Sequence, residues 1–554
     1  MSRATNRGFD PVSLEIYWSR LISIADEAAT GLLRTAFSTI VRESNDYGTV
    51  LMDRNGDSIS ENTGGIASFS CILPRTTKAF LSKFPAHTWQ PGDSVITNDP
   101  WLATGHLPDF TVVTPIFHKG GLVGFAGSIA HSPDVGGALW SADCRELFEE
   151  GIRVPPSRLL RAGEWNAELL DLFLANVRVP GQVLGDLQAQ VVANEVSMRR
   201  VAEFLDDTGL DDLQELSRVV QERADSSMRR AISALPDGAY HATIEADGYD
   251  ERTTRIACTV RVRGDTMEID YAGTSPQIDR GINCVFNYTH AYSVYPVKCA
   301  LDPLVPRNEG SYRAIWVSAP ERSILNPVYP APCSARQLTG HLLAGAIYQA
   351  LAPVLPERII AECGGAPTMR ALFSGIDRGG DRFSQILFAS GGMGAGPHRD
   401  GLSATAFPTN VGAGSVEAYE SAAPLLVWKK RLRSDSGGPG RFRGGLGQEI
   451  EIELRSRGPA RLSLLSDRHH HPAAGVCGGA PGAPSMIALD DGSRPHPKSR
   501  STVASGRRLT LLYAGGGGYG DPKTRDRDLV RSDLANGYIS AEAAARDYGL
   551  EAAP

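Results

Sequence analysis

Two short segments gather imidazoles and carboxylates among turn-forming residues: Asn98-Asp99-Pro100-Trp101-Leu102-Ala103-Thr104-Gly105-His106-Leu107-Pro108-Asp109 and Ala130-His131-Ser132-Pro133-Asp134-Val135-Gly136-Gly137. Imidazole nitrogen and carboxylate oxygen are ligands for divalent ions. A set of two histidines and one aspartate leaves coordination positions open, as catalytic sites do and structural sites do not. His106, Asp109 and His131 are therefore candidate metal ligands, with the chemistry taking place at water or substrate on the ion. The same residue types also cap helices and bond their own backbone in turns with no ion present. Spacing alone leaves both readings open.

The chain between the two segments decides whether they meet. Residues 110–117 and 122–130 read as buried strands, and His118-Lys-Gly-Gly121 as the turn that joins them in a hairpin. A hairpin returns the chain to its start, so His131 comes back beside His106 and Asp109. Upstream, Asp10-Pro11 pairs a capping carboxylate with proline at the first helical position, and Leu14, Tyr17, Leu21 and Ala25 follow at helical spacing. That helix runs to about residue 37 and delivers the turn at residues 42–48, followed by a strand at 49–53 and an Arg-Asn-Gly turn. Asp46 is thus a candidate to face the same pocket, balance the ion's charge and accept a proton. The alternative is an Asx turn beside Arg42.

Beyond residue 160 the pattern turns helical around residues 168–176, 183–205 and 211–235. It then changes to a period of two at 240–245, 254–263 and 266–271, a strand meander. Residues 337–356 form the longest uncharged helical candidate, but Thr339, Gly340, His341, Gly345, Gln349 and Pro353 make it a buried core helix and not a membrane span. After a mixed region to about residue 375 come short strands and glycine-rich stretches at 391–396, 436–447 and 515–520, which read as turns in preference to phosphate cradles. Two short helices close the chain. The expected class is α+β and multidomain: a metal-site region at 1–160, a helical layer at 161–236, a mixed region at 237–375, a β-rich region at 376–525 and a helical tail at 526–554.

At 554 residues the chain can bury more than one core. A hydrophobic fraction of 42% and a charged fraction of 21% are ordinary for a globular protein, and 56 basic against 63 acidic residues, net −7, gives no basic footprint for nucleic acid. The eight cysteines are dispersed, with no C-x-x-C pair, and read as reduced thiols. The N-terminus lacks the apolar core of a signal peptide; a cytoplasmic protein with no membrane role is expected. No G-x-x-x-x-G-K-[ST] occurs, so no P-loop is present. His469-His-His471 reads as a solvated loop. Arg336, Arg441 and Arg443 are cations able to clamp an anionic intermediate, or to make surface salt bridges.

The two histidine segments resemble the hallmark of the hydantoinase B and oxoprolinase family, which includes hydantoinase, caprolactamase and acetone carboxylase subunits. Similar stretches run along nearly the whole chain: Arg34-Thr-Ala-Phe-Ser38, Arg42-Glu43-Ser-Asn-Asp46, Glu150-Gly-Ile-Arg-Val-Pro-Pro156, Asn308-Glu-Gly310, Asn326-Pro-Val-Tyr-Pro-Ala-Pro332, Asp400-Gly401, Val416-Glu417 with Glu420, Asp435-Ser-Gly-Gly438, Arg443-Gly-Gly-Leu-Gly447 and Gly515-Gly-Gly-Gly-Tyr-Gly-Asp-Pro522. The chain departs from the pattern where residues 64–73 carry no histidine and where Ser132 follows His131 in place of a second histidine. The resemblance implies that His106, Asp109 and His131 bind a divalent metal (Zn, Mn or Fe). It implies a hetero-oligomer in which a hydantoinase A-type partner binds ATP and phosphorylates a cyclic amide, which this chain then hydrolyses. Asp46 or Asp134 would be the base, and Arg336 or Arg443 a substrate or intermediate contact. A ketone carboxylase subunit is the alternative in the same family. A non-haem iron oxygenase and a noncatalytic scaffold are alternatives of other classes.

Overall fold

The computed structural model describes residues 9–138, 140–250, 252–365 and 370–550. Asp10 caps the first helix, Pro11–Thr35, accepting from the backbone N–H of Val12 and of Ser13 at 3.1 Å each. Leu14, Trp18, Leu21, Ala25, Ala28 and Leu32 recur on one buried face.

That face lies, with the long helix Pro180–Thr208, on a seven-stranded antiparallel sheet. Its strands are β1 (Tyr47–Asp53), β2 (Ser58–Glu61), β3 (Ser94–Thr97), β4 (Asp109–His118), β5 (Gly121–His131), β6 (Ser157–Arg161) and β7 (Glu164–Trp165), in the order β2-β1-β5-β4-β3-β6-β7. The helix Ala67–Lys83 covers the other face of β1 and β5. The central strands are therefore buried on both sides: in β1, Val50 and Met52 join the core that holds Phe69 and Leu73, while Leu51 joins the core that holds Trp18 and Leu21. This is why β4 and β5 read as continuous apolar runs and not as alternating ones.

The meander expected after residue 238 is present as Gly238–Asp247, Thr253–Arg263 and Thr266–Asp270, with Ile315–Ser318 added in parallel at its edge. It packs on the helix Leu343–Leu351, which in turn meets the helix Phe286–Leu301. The expected single helix over residues 337–356 is two shorter ones, Gln337–Gly340 and Leu343–Leu351, with both buried as anticipated. Two four-stranded sheets form the C-terminal part around Phe373, Leu387, Ile450, Leu462, Leu464 and Leu511. The helices Arg527–Ala535 and Ala541–Tyr548 close the described chain. The architecture is α+β with several separate sheets, as the sequence pattern implied. Among the described residues no helix is long and apolar enough to cross a membrane.

The glycine-rich stretches depart from expectation. In place of turns they run side by side, with Gly392 N–H bonded to Ala514 O, Gly445 N–H to Met393 O, Gly516 N–H to Gly445 O and Gly438 N–H to Gly516 O at 2.8–3.0 Å. A Cβ on Gly515 would lie 1.6 Å from Ser436 O, and one on Gly392 1.8 Å from Gly445 O. These glycines serve close approach of backbone to backbone, not a left-handed turn.

Candidate metal centre

The hairpin of β4 and β5 is closed by Lys119 and Gly120, whose φ angles of 48° and 82° give the doubly left-handed turn that suits two-residue hairpins. Its register sets Asp109 directly opposite His131 at the open end. His131 Nδ1 lies 2.8 Å from Asp109 Oδ1. His106 enters from the turn before β4, where Gly105 has a φ of 88°, and brings Nε2 within 2.8 Å of the same oxygen. Asn98 pins this turn by donating to Leu107 O and Ile152 O and accepting from Val154 N–H. One ligand atom from each of His106, Asp109 and His131 lies within 4.8 Å of the others, and all three residues are at most 2% exposed, so solvent does not complete their bonding.

A second segment, 333–337, closes over this triad. Arg336 donates to Asp109 Oδ2 at 2.7 Å and to Thr104 O, lies 3.0 Å from His106 Nδ1, and stacks on Tyr288 at 4.0 Å. Ser334 O is 3.0 Å from His106 Nδ1 and accepts from Trp140 Nε1 at 2.6 Å. Glu150 fixes this segment from behind, one of its oxygens accepting from Cys333 N–H and Ser334 N–H at 2.7 Å each.

Protonation follows from this packing. Burial first, then the Arg336 charge, pushes His106 down to about 3, so its ring is neutral and carries one N–H. Burial alone would raise Asp109, but the adjoining His106 imidazole, the Arg336 guanidinium and the His131 hydrogen bond hold it well below the usual carboxylate range. Burial raises Asp46, against the opposing pull of His131.

The donor set fits a divalent ion. His106 Nε2 is buried and makes no hydrogen bond, even though it stands 2.8 Å from Asp109 Oδ1. Nδ1 meets both Ser334 O, an acceptor, and Arg336 Nη1, a donor, at 3.0 Å, so its surroundings accommodate either neutral tautomer. In the tautomer with its proton on Nδ1, Nε2 turns a lone pair toward a carboxylate oxygen, a repulsive contact that a cation held by both would relieve.

Of the other residues singled out by sequence, Asp46 is brought to the site: its Oδ2 is 3.8 Å from His131 Nδ1 and its carbonyl accepts from His131 N–H. Asp134 accepts from Arg178 Nη1 at 2.7 Å and from Gly136 N–H at 2.9 Å, in a turn beside the site. Arg336 is present, with its nitrogens turned to Asp109, His106 and Thr104. Arg443 is remote, bonded to Asp533 and stacked over Tyr538 in the tail. His469–His471 wrap Asp247, which accepts from all three of their backbone N–H groups. None of the eight cysteines forms a disulfide.

The wall also contains Trp140, Tyr292, Gln337, His341 and Arg370, which spacing did not reveal because they come from distant segments. Gln337 and His341 carried one signal, as polar residues inside an otherwise apolar buried stretch. The enclosed cavity is small, about 20 Å³.

The family model described as Hydantoinase B/oxoprolinase matches residues 10–522. A provisionally named B-type chain of a D-/L-hydantoinase from Pseudomonas sp. (strain NS671) is 30% identical over 98% of this chain and 95% of its own length. The crystal structure of the ATP-dependent caprolactamase from Pseudomonas jessenii superposes with a TM-score of 0.89 at 27% identity, covering 99% of this chain and 97% of that one. A nucleotide-free acetone carboxylase structure shares the fold, with a TM-score of 0.87 at 19% identity over 98% and 79% of the two chains.

Proposed function

This chain belongs to the hydantoinase B/oxoprolinase family, and we propose that it is the metal-dependent subunit of an ATP-dependent cyclic amidase, opening a hydantoin, lactam or oxoproline-like ring. The observation that carries the reading is the convergence of His106, Asp109 and His131 around an unbonded imidazole nitrogen. A zinc, manganese or iron ion held there supplies Lewis acidity and lowers the pKa of bound water.

The protein's own groups do the rest. In the tautomer that leaves Nε2 free for the ion, Ser334 O accepts from the His106 Nδ1–H. Arg336 neutralises and orients Asp109, acting through the ligand and not on substrate. Asp46, beside His131 and raised by burial, is the base that takes a proton from the attacking water. The Trp140, Tyr288 and Tyr292 rings exclude bulk water. ATP chemistry falls to a separate A-type ATPase subunit in a hetero-oligomer, in keeping with the absence of a P-loop here and with the naming of the hydantoinase relative as one subunit of an enzyme.

The test has two parts. Elemental mass spectrometry on the wild type, His106→Ala and His131→Ala should find near-stoichiometric metal in the first and none in the two folded variants; metal unchanged in both variants overturns the site. The complex reconstituted with an A-type partner should open a ring at the expense of ATP. Bicarbonate-dependent carboxylation of a ketone in its place would make the chain a carboxylase subunit.

A further inference from the structure

Next to Arg336, the Gln337 side chain lines the cavity that holds the candidate metal ligands. It is 1% exposed, and neither Nε2 nor Oε1 has a hydrogen-bond partner among the described residues. An amide buried with both ends unsatisfied is costly, and such groups persist where a ligand or an ordered water completes them. His341 Nδ1, on the same wall, is likewise buried and unpartnered, while its Nε2 meets the Tyr288 hydroxyl at 2.9 Å.

A primary amide presents an acceptor and a donor in one plane, on one edge. The partner that satisfies both at once carries a donor and an acceptor on one edge of its own. A cis secondary amide does so, with C=O and N–H side by side. An open-chain secondary amide is trans and presents them on opposite edges. Ring closure forces the cis form, so lactams, imides and hydantoins all offer the matching edge, whereas a ketone has no N–H and the amino acid from an opened lactam has lost the pair.

Resting on the amidase reading above, we propose that Gln337 is the specificity residue for the free ring before its activation, pairing through Oε1 and Nε2 with the N–H and C=O of a cis-amide edge. The pairing places the amide in the cavity wall beside the triad and discriminates amide rings from ketones and lactams from their opened amino acids. Room for the remainder of the ring lies next door. Gly65 and Asn410 line a cleft of about 400 Å³, while their chain neighbours Ile66, Thr409 and Val411 line the metal-site cavity. The two cavities share these segments, which are tied by Asn410 Nδ2 donating to Gly64 O at 3.1 Å.

The experiment measures binding, so that it does not depend on turnover. The full chain loaded with zinc is titrated with 2-pyrrolidinone, hydantoin and ε-caprolactam, and with the same rings methylated at every nitrogen, in wild type and Gln337→Met, with metal content checked in both. At least one unmethylated ring should bind the wild type. Methylation and Gln337→Met should each weaken that binding by about tenfold or more, and the two losses should not add, while zinc stays bound. Equal loss for methylated and unmethylated rings in the variant, no loss in either, or no ring bound by the wild type overturns the proposal. If the binding pattern holds but the reconstituted complex opens no ring with ATP, the amidase reading fails and the role of Gln337 in recognising the ring stands.

Discussion

Arg336 takes the one oxygen of Asp109 that the two histidines leave free: Oδ2 accepts from the guanidinium at 2.7 Å, while Oδ1 lies 2.8 Å from both imidazoles. The carboxylate is divided between a fixed cation and a candidate ion. Arg336→Lys keeps the charge but loses the fork that also reaches Thr104 O and His106. We expect it to weaken zinc affinity by about 10–100-fold, read by chelator competition, with the fold retained. Asp109→Asn, which leaves Arg336 buried without its counter-charge, should cost about 3–5 kcal/mol of stability in denaturant unfolding as well as the metal.

Glu150 gives a pH dependence whose sign can be worked out. Burial pushes its carboxyl up to about 8 from an ordinary 4.5, against the backbone N–H groups of Ser334 and Cys333. Between those two values the folded protein holds a proton that the unfolded chain has released, so stability falls as pH rises through that window and levels off above it. Both backbone donors reach the same oxygen, which a glutamine keeps. Glu150→Gln should therefore gain on the wild type as pH rises from 5 to 8, by at most about 1.4 kcal/mol per pH unit. Parallel melting curves across that range would refute this.

The two candidate bases separate by experiment. Asp46→Asn should lower ATP-dependent turnover by about 100-fold or more with metal content unchanged; loss of metal in this variant would make Asp46 a ligand. Asp134→Asn should leave turnover and metal intact but cost about 1–3 kcal/mol, because Asp134 holds Arg178 and Gly136.

The glycine layer is equally open to test. Gly515→Ala should destabilise by more than about 3 kcal/mol or prevent soluble expression, since its methyl group meets Ser436 O. Gly458→Ala, with nothing within 4 Å, should unfold like the wild type.

The hairpin and its turn were legible because β4 and β5 are long apolar runs around His118-Lys-Gly-Gly121, and the observed register follows from that turn. The meander was legible from its period of two. Tyr288, Tyr292 and Arg370 were not, because nothing local marks which face of a distant helix or strand will reach the site. The glycine stretches were misread because one residue type serves two purposes. A turn and a close backbone approach both require the missing Cβ, and only the neighbouring chain, remote in sequence, tells them apart.

The hairpin also orders events during folding. Asp109 and His131 are 22 residues apart in the chain, whereas Asp109 and Arg336 are 227 apart. Closing the longer loop costs about 2 kcal/mol more chain entropy than closing the shorter one. Loop closure thus favours the meeting of the two histidines and Asp109 ahead of the arrival of Arg336. A nascent chain emerging from the ribosome carries all three of these side chains long before it carries the cation that caps them.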